Sequence, residues 1–387
     1  MSNLIDDTLA LVKQAQGVPV NESLGKAFTQ ATGLVQFNLE RPAKLIYPVI
    51  TPLRNKIPRV KTVGGTAVNW RAITGIDSLL QTGGVPEGRR NASISTTVKS
   101  YIAAFKTLGL EDFATFESQY AAEGFDDTIA RMIEGLLRST MIMEENTILG
   151  GNTSKAFGVT PQPTLAFIGS GGSIPTATDV YVSVVYLTHN GYRTGSVAGG
   201  VRGLVTTTPV VGAAYTNGGY SAGISPNQNG TTTSANSRVT GTVPWLAGVM
   251  AYAWFWGPTA GAAQKLGAIT TINSINITTA VGAGTQTAAD PNLTADNSTN
   301  AYEYDGLISL IAGAGQENPA ASLSGALVNN QATGTPGVGT PLTSDGAGGI
   351  SEIETDLKSF WDNFRLSPSL ILVNSQELLN ITTKVIN

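Results

Sequence analysis

The sequence predicts an α+β protein built from an extended N-terminal arm, a long hairpin, a long helix and an inserted all-β domain. Three observations carry this. A single helical pattern runs from Asp126 to Leu149. Two runs with strand periodicity stand directly upstream of it, either side of a Gly-rich turn. After Gly150 the chain turns Gly/Thr/Asn-rich and almost uncharged, interrupted by short apolar runs.

In chain order, Leu4, Ile5, Leu9 and Val12 allow a short helix before the turn signal Gly17-Val18-Pro19. Pro42, Pro48, Pro52 and Pro58 then argue against a helix or a central strand, and leave an extended arm or an irregular edge. From Thr66 to Ile73 alternation puts Val68 and Trp70 on one face. The return strand sets Ile94, Thr96, Val98, Ser100 and Ile102 against Ser95, Thr97, Lys99 and Tyr101. The polar stretch from Gln81 to Arg90 between them reads as the tip of a hairpin. A lone two-stranded ribbon is marginal in water, so this one is expected to lie on another surface.

Asp126 or Asp127 can cap the helix that follows, and Gly150-Gly151-Asn152 supplies its stop. Ile129, Met132, Ile133, Leu136, Leu137, Thr140 and Met141 recur at helical spacing and are expected to pack inward. Tyr181 to Leu187, Ala251 to Trp256 and Ile272 to Thr278 read as strands. Residues 203–237 hold no charged side chain, and a small β domain is placed at about 188–300. Tyr304 to Leu310 is a short apolar element. Ser351 with Glu354 reads as a capping box for a helix to Phe364, stopped by Pro368, and Leu370 to Val373 reads as a buried strand.

At 387 residues the chain can fill a sizeable core, yet only 13% of it is charged, against roughly 25% in typical soluble domains. Such a surface is easier to tolerate where subunits cover one another. Zero cysteines exclude disulfides, thiolate zinc and thiol catalysis. No signal peptide is apparent at the N-terminus, and no apolar run approaches the roughly 18 residues of a bilayer span. The net charge of −4 conceals an asymmetry, since residues 1–150 hold 15 of the 23 basic side chains. Arg41, Lys44, Arg54, Lys56, Arg59 and Lys61 form a basic run that could face nucleic acid, a neighbouring subunit or simply solvent.

No catalytic constellation stands out. His189, the only histidine, lies between an apolar strand and a Gly turn, where a structural role is the default. The acid pairs Glu111-Asp112 and Asp126-Asp127 fall around helix starts, where the helix dipole explains them. Gly169 to Ser173 lacks the Lys of a phosphate-binding loop, and Gly83 to Gly88 lacks the helix that should follow.

The order of elements resembles the major capsid proteins of tailed bacteriophages, which share the HK97-like fold. The resemblance rests on the Pro-broken arm, the long hairpin, the run Leu108-Gly109-Leu110-Glu111-Asp112, the long helix, and a late helix followed by a strand. It covers about 40–160 and 300–385. It implies an N-terminal arm at 1–61, an extended E-loop hairpin at 62–106, and a peripheral domain at 107–187 whose spine helix is 126–149. The inserted β domain follows at 188–300, with an immunoglobulin-like type as one candidate; 301–350 then returns to the peripheral domain or forms a linker. Residues 351–387 would be the start of an axial domain, incomplete in this chain.

By the same resemblance the chain is not an enzyme and needs no cofactor. It would be a structural subunit forming hexamers and pentamers that close an icosahedral shell around double-stranded DNA, bound without sequence preference. Portal, scaffolding and decoration proteins are implied partners, with no membrane; the place is the virion, assembled in the host bacterial cytoplasm. Contacts between subunits would fall on the basic run Arg41, Lys44, Arg54, Lys56, Arg59 and Lys61, and on Gly83, Gly84, Glu87, Arg89 and Arg90 at the hairpin tip. An encapsulin-like nanocompartment shell is the nearest alternative. A secreted β-rich adhesin or carbohydrate-binding module suits the middle third alone.

Overall fold

The computed structural model describes residues 51–60, 64–76, 84–91, 93, 96–123, 127–313 and 332–386. The expected helix near residue 4, most of the arm, and Arg41, Lys44, Lys61 and Gly83 lie outside them. The described residues are mixed α+β, with several antiparallel sheets and few helices. The chain divides into two compact units, Met1–Pro48 with Phe113–Glu134, and Val49–Asp112 with Gly135–Asn387.

In the first unit, helix α2 (Phe116–Ala121) starts from Thr115, whose hydroxyl accepts the Ser118 N–H. The opening turns of helix α3 (Thr128–Gly150) follow, capped by the Asp127 carboxylate through the Ala130 N–H at 3.0 Å. At 1.5 Å per residue the 23 residues of α3 span about 35 Å. The apolar stripe expected to face a core does not do so over the first half of this helix. Ile129, Ile133 and Leu137 are exposed and Leu136 is only half-buried; the helix becomes covered from Thr140 onward.

The second unit opens with helix α1 (Pro52–Lys56), where the proline spacing argued against one. Proline is compatible with the first helical position because its missing N–H would have no partner there. Strands β1 (Ala67–Ile76) and β2 (Thr96–Ala104) pair antiparallel with one register shift between Ile73 and Gly75, and among the described residues no third strand joins them. Trp70 lies opposite Tyr101 and their rings stack at 5.8 Å, so Tyr101 marks the covered face.

A β sandwich follows α3. Its three-stranded sheet has the order β11-β8-β3, from Ser274–Ile277, Arg238–Thr242 and Thr164–Ile168. Its four-stranded sheet has the order β10-β9-β4-β7, from Lys265–Thr270, Ala251–Gly257, Asp179–Leu187 and Gln228–Thr231. All of these pairings are antiparallel. Val180, Val182, Val184, Tyr186, Trp254 and Trp256 face Val239, Ile275 and Ile277 across the sandwich. Val185, Leu187, Phe255 and Leu266 fill a second cluster on the other side of the larger sheet, with Val201 from a loop and Leu293 from a short 3-10 turn. A strand covered on both faces reads as a continuous apolar run, which is why β4 and β9 stood out so clearly. A small outer hairpin, β5 (Val205–Thr207) with β6 (Tyr215–Asn217), and the short helix α4 (His189–Thr194) complete the module.

Two expectations about this module need correction. It begins before residue 188, since β3 and β4 are two of its seven strands; only hydrogen-bond partners, not composition, reveal that they belong to it. The strand order is also not that of immunoglobulin domains, where the first strand pairs with the second. Here β3 pairs with β8.

Entry and exit of the module are tied together. Asn152 donates to Lys155 O at 2.7 Å and Ser298 O at 2.8 Å, and its carbonyl accepts the Asn300 N–H. Asp305 accepts the backbone N–H groups of Thr153 and Ser154. Gly151 sits where a Cβ would fall 2.4 Å from Tyr304 O, so only glycine lets the returning chain pass this close. The return continues into helix α5 (Leu307–Ile311).

Helices α6 (Ser351–Phe364) and α7 (Ser375–Ile386) end the described chain. The capping box does not form: Ser351 is the first helical residue, Ile350 occupies the cap position, and the Glu352 carboxylate accepts the Thr343 N–H instead. The helix ends in a left-handed residue, Arg365. Leu370 to Val373 pair with no strand among the described residues and are exposed, because an apolar run becomes a buried strand only where a neighbour offers a ladder.

Candidate assembly surface

The residues that sequence reasoning placed at subunit contacts separate into two groups. Arg54 and Arg59 both pair with Glu144 on α3, and the Glu145 carboxylate accepts the N–H of Leu53 at 2.9 Å and of Arg54 at 2.6 Å. A carboxylate at a helix start satisfies free donors and meets the positive end of the dipole. The basic run is therefore anchored at Arg54 and Arg59 to its own chain, while Lys56 is exposed. Nothing in the sequence connects the Glu144-Glu145 pair to a segment ninety residues earlier.

Gly84, Glu87, Arg89 and Arg90 stay together in an exposed turn, closed by the Arg89 N–H donating to Pro86 O. Gly88 there has φ +76°, which glycine adopts without strain. Strand β1, ten residues at about 3.3 Å each, is roughly 30 Å long.

The two faces of the hairpin differ. Val68, Trp70 and Ala103 border a cavity of about 780 Å³ shared with Phe105, Tyr304 and Leu310. Lys106 fixes the hairpin base by donating to Ala301 O at 2.7 Å. On the opposite face Ile73 is 66% exposed, and its cross-strand partner Val98 and then Ile102 are 49% and 53% exposed. Further exposed apolar residues lie on the terminal helices, among them Trp361, Leu378 and Leu379.

A second cavity, of about 360 Å³, lies where the later part of α3 meets α4. It is lined by Met143, Asn190, Arg193, Tyr220 and Glu303, and Asn190 reaches Glu303 at 3.5 Å. Burial raises the Glu303 carboxyl above its ordinary range. His189 opens α4 and packs against Gly150, where a Cβ would come within 2.4 Å of its own. Both ring nitrogens are buried without a hydrogen-bond partner among the described residues, and burial, with Arg193 nearby, lowers its pKa. Sequence offered no signal for Arg193 or Glu303, which are 110 residues apart and meet only through the insertion.

The remaining candidates are structural. Glu111 accepts the Val210 N–H, Asp127 caps α3, and Gly172 donates to Asn236 O within a turn. No helix among the described residues is long and apolar enough to cross a membrane. No family model, curated protein or solved structure matches the chain.

Proposed function

We propose that this chain is the major capsid protein of a tailed bacteriophage, with an HK97-like fold carrying an inserted β sandwich. Copies assemble as hexamers and pentamers into an icosahedral shell around double-stranded DNA. One observation carries the reading: a hairpin that among the described residues has two strands and no third, and whose outer face presents Ile73, Val98 and Ile102 to solvent. A free monomer gains nothing from such a face, and a neighbouring copy would bury it, at about 1 kcal/mol for each half-exposed side chain. The exposed stripe Ile129, Ile133 and Leu137 on a 23-residue helix supports the same reading. So does the low charge of the whole chain.

Electron microscopy of the expressed protein tests it. Shells or capsomer rings are expected, and a triple variant Ile73→Asp/Val98→Asp/Ile102→Asp should keep its helical and strand signal but stay unassembled. A wild-type chain that remains monomeric at high concentration overturns the proposal. Shells that exclude DNA under all packaging conditions would favour the nanocompartment instead.

A further inference from the structure

The segment from Glu111 to Asp127 holds six acidic side chains and no basic one. Within it α2 presents Phe116 and Tyr120, one turn apart, with rings 6.3 Å apart and exposures of 80% and 70%. They line a cavity of about 420 Å³ together with Gln119, Glu123 and Asp127. Glu117 lies on the same helix, exposed. An aromatic groove left open to water inside an acidic rim is the environment in which a guanidinium gains most, by stacking on the ring faces and pairing with the carboxylates.

The described part of the chain offers such a group. Arg89 and Arg90 stand side by side in the exposed turn at the end of the hairpin, and neither makes an ion pair among the described residues. Arg54 and Arg59, in contrast, are already held by Glu144. We propose that the aromatic groove of α2, lined by Glu123 and with Glu117 exposed on the same helix, is the receiving site for the Arg89-Arg90 turn of a neighbouring copy of this chain. The inference rests on the shell-subunit reading and names the contact that joins one copy to the next. Asp127 contributes charge only, because its carboxylate already caps α3.

Charge exchange tests the pairing. Arg89→Glu/Arg90→Glu and Glu117→Arg/Glu123→Arg should each raise the protein concentration needed for assembly about tenfold or more, and high salt should weaken wild-type assembly in the same direction. The variant carrying all four substitutions should recover assembly. A chain without native cysteines permits a second measurement. Arg90→Cys with Gln119→Cys should give a ladder of covalent oligomers under oxidation, and neither single variant should. Wild-type chains that never associate would overturn both this contact and the shell reading. If wild type assembles and both charge variants assemble equally well, only this contact falls. If the acidic-side variant fails while the arginine variant assembles, the groove receives some other segment and the proposal is equally overturned. Cysteine pairs that close only within one chain overturn it as well.

Discussion

Replacing Asn152 by alanine should loosen the point at which the β sandwich joins the rest of its unit. The side chain, 3% exposed, makes three hydrogen bonds: Nδ2 to Lys155 O at 2.7 Å, Nδ2 to Ser298 O at 2.8 Å, and Oδ1 from Lys155 N at 3.0 Å. Each contributes about 1 kcal/mol net, and the buried Ser298 carbonyl left without its donor adds about as much again. The expected loss is therefore about 3–4 kcal/mol. In a unit as large as the one holding Asn152, at about 2.1 cal/mol/K of unfolding entropy per residue, that corresponds to a fall in melting temperature of roughly 4–6 °C. Urea unfolding followed by tryptophan fluorescence reads the change directly, because Trp254 and Trp256 lie in the sandwich core. Asn152→Asp sharpens the test: it keeps the acceptor for Lys155 N but points a carboxylate at two carbonyls. That variant should be at least as unstable at neutral pH and should recover as acid protonates it, since a neutral carboxyl can donate again. A loss below about 1 kcal/mol for the alanine variant, or an aspartate variant without pH dependence, would refute the latch.

Three further outcomes follow from the geometry. Glu145→Ala should leave the N–H groups of Leu53 and Arg54 without their acceptor and cost about 1–3 kcal/mol locally; hydrogen exchange at those amides should accelerate while the sandwich core stays protected, and unchanged protection would contradict the clamp. Gly267→Ala would set a Cβ 2.0 Å from the Trp256 ring, so overpacking of about 1–3 kcal/mol is expected, with altered fluorescence; unaltered stability would show that the ring can move aside. For His189 the folded pKa is depressed, so the unfolded chain binds the extra proton first. Its stabilising contribution is complete above about pH 6.5 and is lost as pH falls below that value towards the folded pKa. His189→Gln should flatten this part of the acid limb in thermal melts. Glu303, raised by burial, acts in the opposite sense, so the comparison is between variant and wild type at each pH.

Local chemistry made the secondary structure of several segments legible. The β4 and β9 runs were readable because both faces of those strands are buried, which leaves no polar alternation to confuse them. The long helix was readable from its period and from Asp127, and the hairpin from its two alternating strands. Where a segment's state depends on a distant partner, the pattern misled. Leu370 to Val373 has the composition of a core strand but no ladder to join, and Ser351 lost its capping role to a backbone that starts the helix one residue earlier. The stripe on α3 looked like core because helical period reports amphipathicity and not what covers the apolar side.

By itself the sequence determined the long helix, the paired strands of the hairpin and the apolar runs of β4 and β9, that no thiol chemistry exists, and that charge is scarce and concentrated toward the first half. These depend on neighbours within a few residues. Tertiary structure alone decided that β3 and β4 join the inserted sandwich, that Arg54 and Arg59 serve Glu144, and that Ile73, Val98 and Ile102 remain uncovered. Each of those is set by which residues meet across tens to more than a hundred positions of chain. Pairing at that distance follows from packing and hydrogen-bond closure, and no local pattern encodes it.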